Sequence, residues 1–267
     1  MKMAPYVRSM IMQKTLLPFF CGVLLWAPAA SATQAYYEVY AAGVNVIVLD
    51  TEFSVEPTKY VIHLNFHTVG AFSLVMRSRQ HTVVEGQFVG DRPMPLRFFS
   101  TGMLRGNPRV TQLDYHDGQP VIRQLVPPSE TERELVAPAD QANTVDTLSA
   151  MAELVRQVNT TGRCEGRLST FDGRRLIVLE ARTSGLQVLE PTGRSSFAGQ
   201  ALRCDFIGRQ LGGFKLDEDR ERLQRPQQGT AWFAAVTPDG PKIPVRVVFR
   251  TRWFGDATMY LTKPPSD

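Results

Sequence analysis

The chain has 267 residues, with 30 Lys plus Arg against 26 Asp plus Glu and an apolar fraction of 43%. Three of the basic residues and none of the acidic ones precede residue 33, so the remainder is nearly neutral, 27 basic against 26 acidic. That remainder carries no run of basic residues along the chain, which argues against nucleic acid as a partner because phosphate binding needs concentrated positive charge.

Met1 to Ala32 reads as a secretory signal. Lys2, Arg8 and Lys14 precede the apolar run Thr15 to Trp26, and small residues follow, ending in Ala30-Ser31-Ala32. The run is short for a membrane span and holds Pro18, which disfavours a retained anchor. Cys21 has apolar residues after it, the wrong order for a lipid-attachment site. The expectation is a mature chain of residues 33–267, without a transmembrane span, in the periplasm. Its length suits one large β domain with a sizeable core.

From the mature start the chain alternates like strands punctuated by turns. "YEVYAAGVNVIVLDTEFSVE" predicts two strands broken at Gly43. "KYVIHLNFHTVG" sets Ile62, Leu64 and Phe66 on one face and His63, Asn65 and His67 on the other. On such a strand His63 and His67 stand roughly 13 Å apart, at about 3.3 Å per residue, too far to share a metal. "FSLVMRSRQHTVVEGQFVG" predicts one long, bending strand, followed by a turn at Gly90 to Pro93. Asp117-Gly118, Asp172-Gly173 and Asp239-Gly240 each sit between alternating runs, a strong hairpin signal. Repeated hairpins imply neighbouring antiparallel strands, hence a mainly β fold: a curved antiparallel meander forming an open or half β-barrel.

Two stretches break the rhythm. The Pro-rich, acidic "VPPSETERELVAPADQA" predicts a surface connection, and residues from about 208 to 229 predict a long charged loop with a helical turn near Asp217 to Leu223. Between them "NTVDTLSAMAELVRQVN" predicts a helix at about 144–159, capped by Thr144 or Asp146. Leu148, Met151, Val155 and Val158 form its apolar stripe, Ala150, Ala152 and Leu154 widen it, and Ser149, Glu153, Arg156 and Gln157 leave a polar strip. Such a helix plugs the curved sheet, either as filled core or as a lid over a hydrophobic cavity.

Cys164 and Cys204 remain after the leader. In an exported chain an even pair reads first as a disulfide; two buried free thiols are the alternative. No C-x-x-C or nearby His completes a metal set.

"YEVYAAGVNV", "DTLSAM" at Asp146 to Met151, "FDGRR" at Phe171 to Arg175, and Trp232 followed by "KIPVRV" at Lys242 to Val247 together resemble an exported bacterial family, the domain of unknown function DUF3108. The resemblance spans nearly the whole mature chain. It implies a curved antiparallel sheet or open barrel around a helix, similar in outline to periplasmic lipoprotein carriers, and brings no reaction, cofactor or catalytic residue.

No G-x-S-x-G, H-E-x-x-H, S-x-x-K or G-x-x-x-x-G-K-[ST] string is present, so common hydrolase, metalloprotease and phosphate-loop chemistries have no foothold. The expectation is a non-catalytic envelope protein with no cofactor, metal or catalytic residue. It would bind a hydrophobic or lipid-like ligand, or a lipidated partner, against Leu148, Met151, Leu154, Val155 and Trp232. The rival is an interaction protein with a filled core that meets another envelope protein through its charged loop. An outer-membrane barrel fits poorly with the polar tail and the mid-sequence helix.

Overall fold

The computed structural model describes residues 32–250 and 255–263, together with Met1 and Ala4. The expected leader and the polar tail fall almost wholly outside them. Among the described residues no helix is long and apolar enough to cross a membrane.

The first half of the chain is a meander of β1 (Thr33–Ala41), β2 (Val44–Val55), β3 (Lys59–Thr68), β4 (Ser78–Val89), β5 (Arg92–Leu104), β6 (Asn107–His116) and β7 (Gln119–Val126), with a four-residue helix α1 (Phe72–Val75) between β3 and β4. A long connection then carries α2 (Pro138–Gln141) and α3 (Thr147–Thr161). The second meander follows: β8 (Gly166–Phe171), β9 (Leu176–Leu189), β10 (Gly199–Gly212), β11 (Gln227–Ala235), β12 (Lys242–Arg250) and β13 (Asp256–Lys263), with α4 (Arg220–Gln224) between β10 and β11. Because β1 pairs with β13, the two meanders merge into one antiparallel sheet of order β7-β6-β5-β4-β3-β2-β1-β13-β12-β11-β10-β9-β8. The sheet does not close, and its edges are β7 and β8, the two strands that the long connection joins. The expected mainly β, open-barrel architecture around one buried helix is the observed one.

Turn chemistry explains the tight hairpins. Asp117-Gly118 has φ of 50° and 77°, the pair of positive values that a two-residue turn matching strand twist requires. Ala42-Gly43 (49°, 82°) and Arg105-Gly106 (52°, 82°) do the same without Asn or Asp at the first position. At the β8–β9 turn the Asp172 carboxylate instead accepts from the Arg174 and Arg175 N–H groups.

Two expectations need correction. Phe72 to Val89 is not one strand: Ser78 pairs with Leu104, where β5 ends, so residues before Ser78 have no neighbour to extend a ladder and Phe72–Val75 coils into α1. The charged loop is also shorter than expected, since β10 runs to Gly212 and β11 begins at Gln227. What lies between is pinned: Glu134 N–H donates to the Phe214 carbonyl (2.8 Å), Leu216 N–H to the Glu132 carbonyl (3.1 Å), and Phe214 and Leu223 are fully buried.

The seam between β7 and β8 is spanned by the connection. Asn143 N–H donates to the Gly118 carbonyl at the β6–β7 turn (2.8 Å), and Val145 exchanges backbone bonds with Ser169 and Phe171 of β8 (3.0 and 2.8 Å). Further along the seam, Arg109 of β6 grips Glu132 with two bonds of 2.6 Å, and Arg174 donates to the Pro127 carbonyl (2.7 Å) while lying 3.8 Å from Glu132. One carboxylate thus ties β6, the connection and the β8–β9 turn.

Helix α3 begins at its cap, Asp146, whose carboxylate accepts from the Leu148 and Ser149 N–H groups, both at 2.9 Å. It ends at Gly162 in the left-handed conformation (φ 68°), which a glycine adopts without steric cost. It packs inside the curve of the sheet, touching β2, β4, β5, β8 and β12. Val155 and Val158 bury against Leu202, Cys204, Ala231, Phe233 and Val247, while Ala152 joins the larger core of Tyr37, Phe53, Tyr60, Val84, Phe98 and Leu113.

Just beyond the helix, Cys164 and Cys204 form a disulfide with Cα atoms 6.1 Å apart and no solvent exposure to speak of. It clamps the helix exit to β10. Closing a loop of this size stabilises the fold by about 2–4 kcal/mol, chiefly by restricting the unfolded chain. Cys204→Ser should therefore lose about that much in denaturant unfolding and speed hydrogen exchange at the end of α3, and reduction of the wild-type protein should reproduce both effects.

The Glu132 tie makes a second prediction. Hydrogen bonds and charge from Arg109 hold its carboxyl below the ordinary 4.5, so its contribution is present above that pH and lost as pH falls through the lowered value. Glu132→Gln should lower thermal stability at neutral pH and flatten the acid-side loss; identical acid limbs for the two proteins would rule the tie out.

Candidate functional site: the grooves beside the central helix

Helix α3 does not fill the curve of the sheet evenly. Its polar strip is itself partly buried. Ser149 and Glu153 are buried, because Ser149 Oγ donates to Asp146 and accepts from the Tyr60 hydroxyl (2.8 Å), while Glu153 accepts from Arg156 and Gln157. Arg156 in turn stacks over Phe88, its guanidinium carbon 4.6 Å from the ring centroid. Polar anchoring along this face holds the helix at a fixed depth, and Leu148, Met151 and Leu154 remain only half-buried.

Those half-buried side chains border two apolar grooves. On one flank Ala150, Met151 and Leu154 face Leu168, Leu179, Phe206 and Phe233 of β8 to β11 across a cavity of about 340 Å³. Polar residues border it as well, among them Asp91, Arg92, Gln157 and Glu165. On the other flank Leu148, Met151 and Val155 face Leu49, Phe53, Ile62, Leu64 and Met259 across about 230 Å³. Met151 borders both, so one flexible, polarisable side chain forms the partition between them.

Of the wall expected from sequence, Leu148, Met151, Leu154 and Val155 therefore come together at the grooves. Trp232 does not join them. Its neighbours Ala231 and Phe233 line the groove, and alternation along β11 turns Trp232 to the opposite face of the strand, where it is buried in the larger core cluster, pairs in register with Arg203 and Arg246 and donates to Gln187 Oε1 at 3.0 Å. The facing walls, Phe206 and Phe233 on one side and Phe53 and Ile62 on the other, were not singled out from sequence. Their alternation was the available signal, but period two does not say which face of a sheet a helix will cover.

The site's electrostatics are those of a dry interior. Burial pushes the Asp146 carboxyl above its ordinary value, against three hydrogen bonds that favour the charged form. Burial likewise raises the phenols of Tyr37, Tyr60 and Tyr115, and the Tyr115 hydroxyl is buried without a hydrogen-bond partner among the described residues. The Asp146, Ser149 and Tyr60 trio fixes the helix: Ser149 is fully buried and both Oγ bonds are internal.

Two further concave or polar regions flank these grooves. A wider concavity of about 800 Å³ adjoins the larger groove, sharing Arg167, Glu180 and Phe206 with it, and is lined besides by Arg182, Arg203, Asp205 and Thr230; its carboxylate Asp205 is satisfied by Ser184, Arg203 and Thr230. On the outer face of β2 to β4, His81 bonds Asn65 (2.6 Å), which donates to Asp50 (2.7 Å), and His63 lies 6.4 Å from His81 between ring centroids. Among the described residues no group of three or more His, Cys, Asp or Glu is placed to hold a metal ion.

Known proteins share this architecture. The crystal structure of a beta-barrel-like protein of domain of unknown function DUF1849 from Brucella abortus superposes with a TM-score of 0.51 at 11% identity, over 89% of this chain and 99% of that one. At such identity the likeness concerns the fold alone. No curated protein matches the sequence. The model of the family described as "Protein of unknown function (DUF3108)" matches residues 35–262, almost the whole of the described sheet with its helix, and the chain belongs to that family.

Proposed function

We propose that this chain is an exported periplasmic protein of the cell envelope, mature from near Thr33, which holds a hydrophobic or lipid-like ligand, or the acyl group of a lipidated partner, beside α3 and catalyses no reaction. The observation that carries this reading is the pair of apolar grooves sharing Met151. Ligand sites are concave and mostly apolar with a few polar groups at the edge, and the larger groove has that composition. An extended chain laid along the larger groove would remove half-buried Met151 and Leu154 from water, a gain of roughly 25 cal/mol per Å² of apolar surface. The signal-like sequence expected at Met1 to Ala32 and a buried disulfide both suit an oxidising compartment.

Native mass spectrometry of the protein purified from its own compartment, before and after mild organic extraction, should reveal a discrete, extractable lipid-sized mass. A clean protein mass would favour the filled-core interaction protein instead. Independently, an apolar fluorescent probe should bind saturably, and Met151→Asp or Leu154→Asp should weaken it roughly tenfold or more, equivalent to about 1.4 kcal/mol. Both positions are half-buried, so unfolding curves close to wild type should accompany the loss. Undiminished probe binding in both variants would place the probe elsewhere.

A further inference from the structure

One end of the open barrel carries an exposed apolar tip. Three connections meet there: the β1–β2 turn, the segment around α1, and the β5–β6 turn. Val69 N–H donates to the Val46 carbonyl (3.0 Å) and Arg105 N–H to the Arg77 carbonyl (2.7 Å), which fixes the three side by side. Leu74 is 81% exposed, Val75 72% and Val44 54%, and α1 has no buried residue. Isolated exposed leucines are ordinary. Adjacent large apolar residues projecting from a helical turn that is itself held by backbone bonds are not explained by packing, because Leu74 and Val75 both point away from the core.

The tip is also positively charged. Arg77, Arg79 and Arg105 surround it, all exposed, and among the described residues no ion pair engages any of them. Elsewhere on the chain most arginines lie against a carboxylate, as Arg109 does with Glu132, Arg123 with Asp114 and Arg220 with Glu134. Apolar side chains ringed by unpaired cations complement a bilayer surface, where the apolar groups enter the boundary below the headgroups and the cations meet anionic phosphates.

We propose that the α1 tip, Leu74 and Val75 with Arg77, Arg79 and Arg105, docks the protein reversibly on a membrane surface bearing anionic headgroups. Docking of this kind is shallow, because the tip is only four residues long, and it is salt-sensitive, because the arginines are exposed to solvent ions before contact. It goes beyond the groove reading and does not depend on what the grooves hold, since none of these residues lines either groove.

The test is co-sedimentation of the purified chain with phosphatidylcholine vesicles, with and without phosphatidylglycerol, at low and physiological salt. The expected result is binding to the phosphatidylglycerol vesicles that weakens with salt. The double variant Leu74→Asp, Val75→Asp should lose it by about tenfold or more, and Arg77→Glu with Arg105→Glu should abolish the preference for the anionic lipid. Melting curves and groove-probe binding should match wild type in both variants, which separates failure of this proposal from failure of the groove reading. Absence of vesicle binding by the wild-type chain, or wild-type binding by the Leu74→Asp, Val75→Asp variant, would overturn the proposal. So would a concentration-dependent dimer, in sedimentation velocity, that this variant dissolves, because the tip would then meet a second copy of the chain.

Discussion

A sheet that curls but does not close must do something with its two edges, and in this protein the whole design follows from that need. Strands β7 and β8 are consecutive in the chain yet lie at opposite ends of the strand order, so the segment joining them has to cross the gap. It crosses as backbone, with Asn143 bonded to one side of the gap and Val145 to the other. Unpaired edges invite pairing with other chains, and this segment occupies part of each. It also delivers the helix that begins at Asp146 into the concave side of the sheet.

The helix is held by polar contacts as much as by apolar ones. Tyr60 of β3, Ser149 and Asp146 form one buried chain of hydrogen bonds, and Arg156, held by Glu153, reaches Phe88 of β4 and Asp91. Buried polar groups satisfied in this way fix position more sharply than Val or Leu contacts do, because a hydrogen bond is lost over a few tenths of an ångström whereas a dispersion contact fades gradually. With its depth set on that face, and its exit clamped by the disulfide, the helix does not sink to fill the space beside Met151. The grooves are the consequence of an anchored plug in a sheet wider than the plug itself. The barrel end bearing Leu74 and Val75 lies clear of the helix, so apolar interior and apolar tip are separate features with separate physical origins.

Much of the fold was legible in the residues. Period-two alternation marked the strands, the Asp-Gly pairs marked hairpins, and the stripe of Leu148, Met151, Val155 and Val158 marked the helix. The misses have identifiable causes. Phe72 to Val75 has strand-like composition but no neighbouring strand, and a ladder needs a partner that composition does not report. Residues 208–212 and 227–229 are polar and glycine-rich, yet they extend β10 and β11 because their backbone groups pair with β9, β12 and each other. Ser149 and Glu153 read as a polar strip, and what that strip meets, Tyr60 at Ser149 and Phe88 under Arg156, is supplied only by folding. Trp232 looked like a ligand-wall residue, but a strand has two faces and nothing local chooses between them.

The sequence by itself determined the class of fold, the single long helix with its Asp146 cap, and the cysteine pair, because each rests on local periodicity, local capping chemistry or parity. Only the tertiary structure decided that β1 joins β13, that the sheet stays open between β7 and β8, and that the helix stops short of filling its curve. Those outcomes depend on which distant backbone groups find each other and on how deep a buried hydrogen-bond chain draws one element into another. Neither quantity is written in the spacing of residues along a chain.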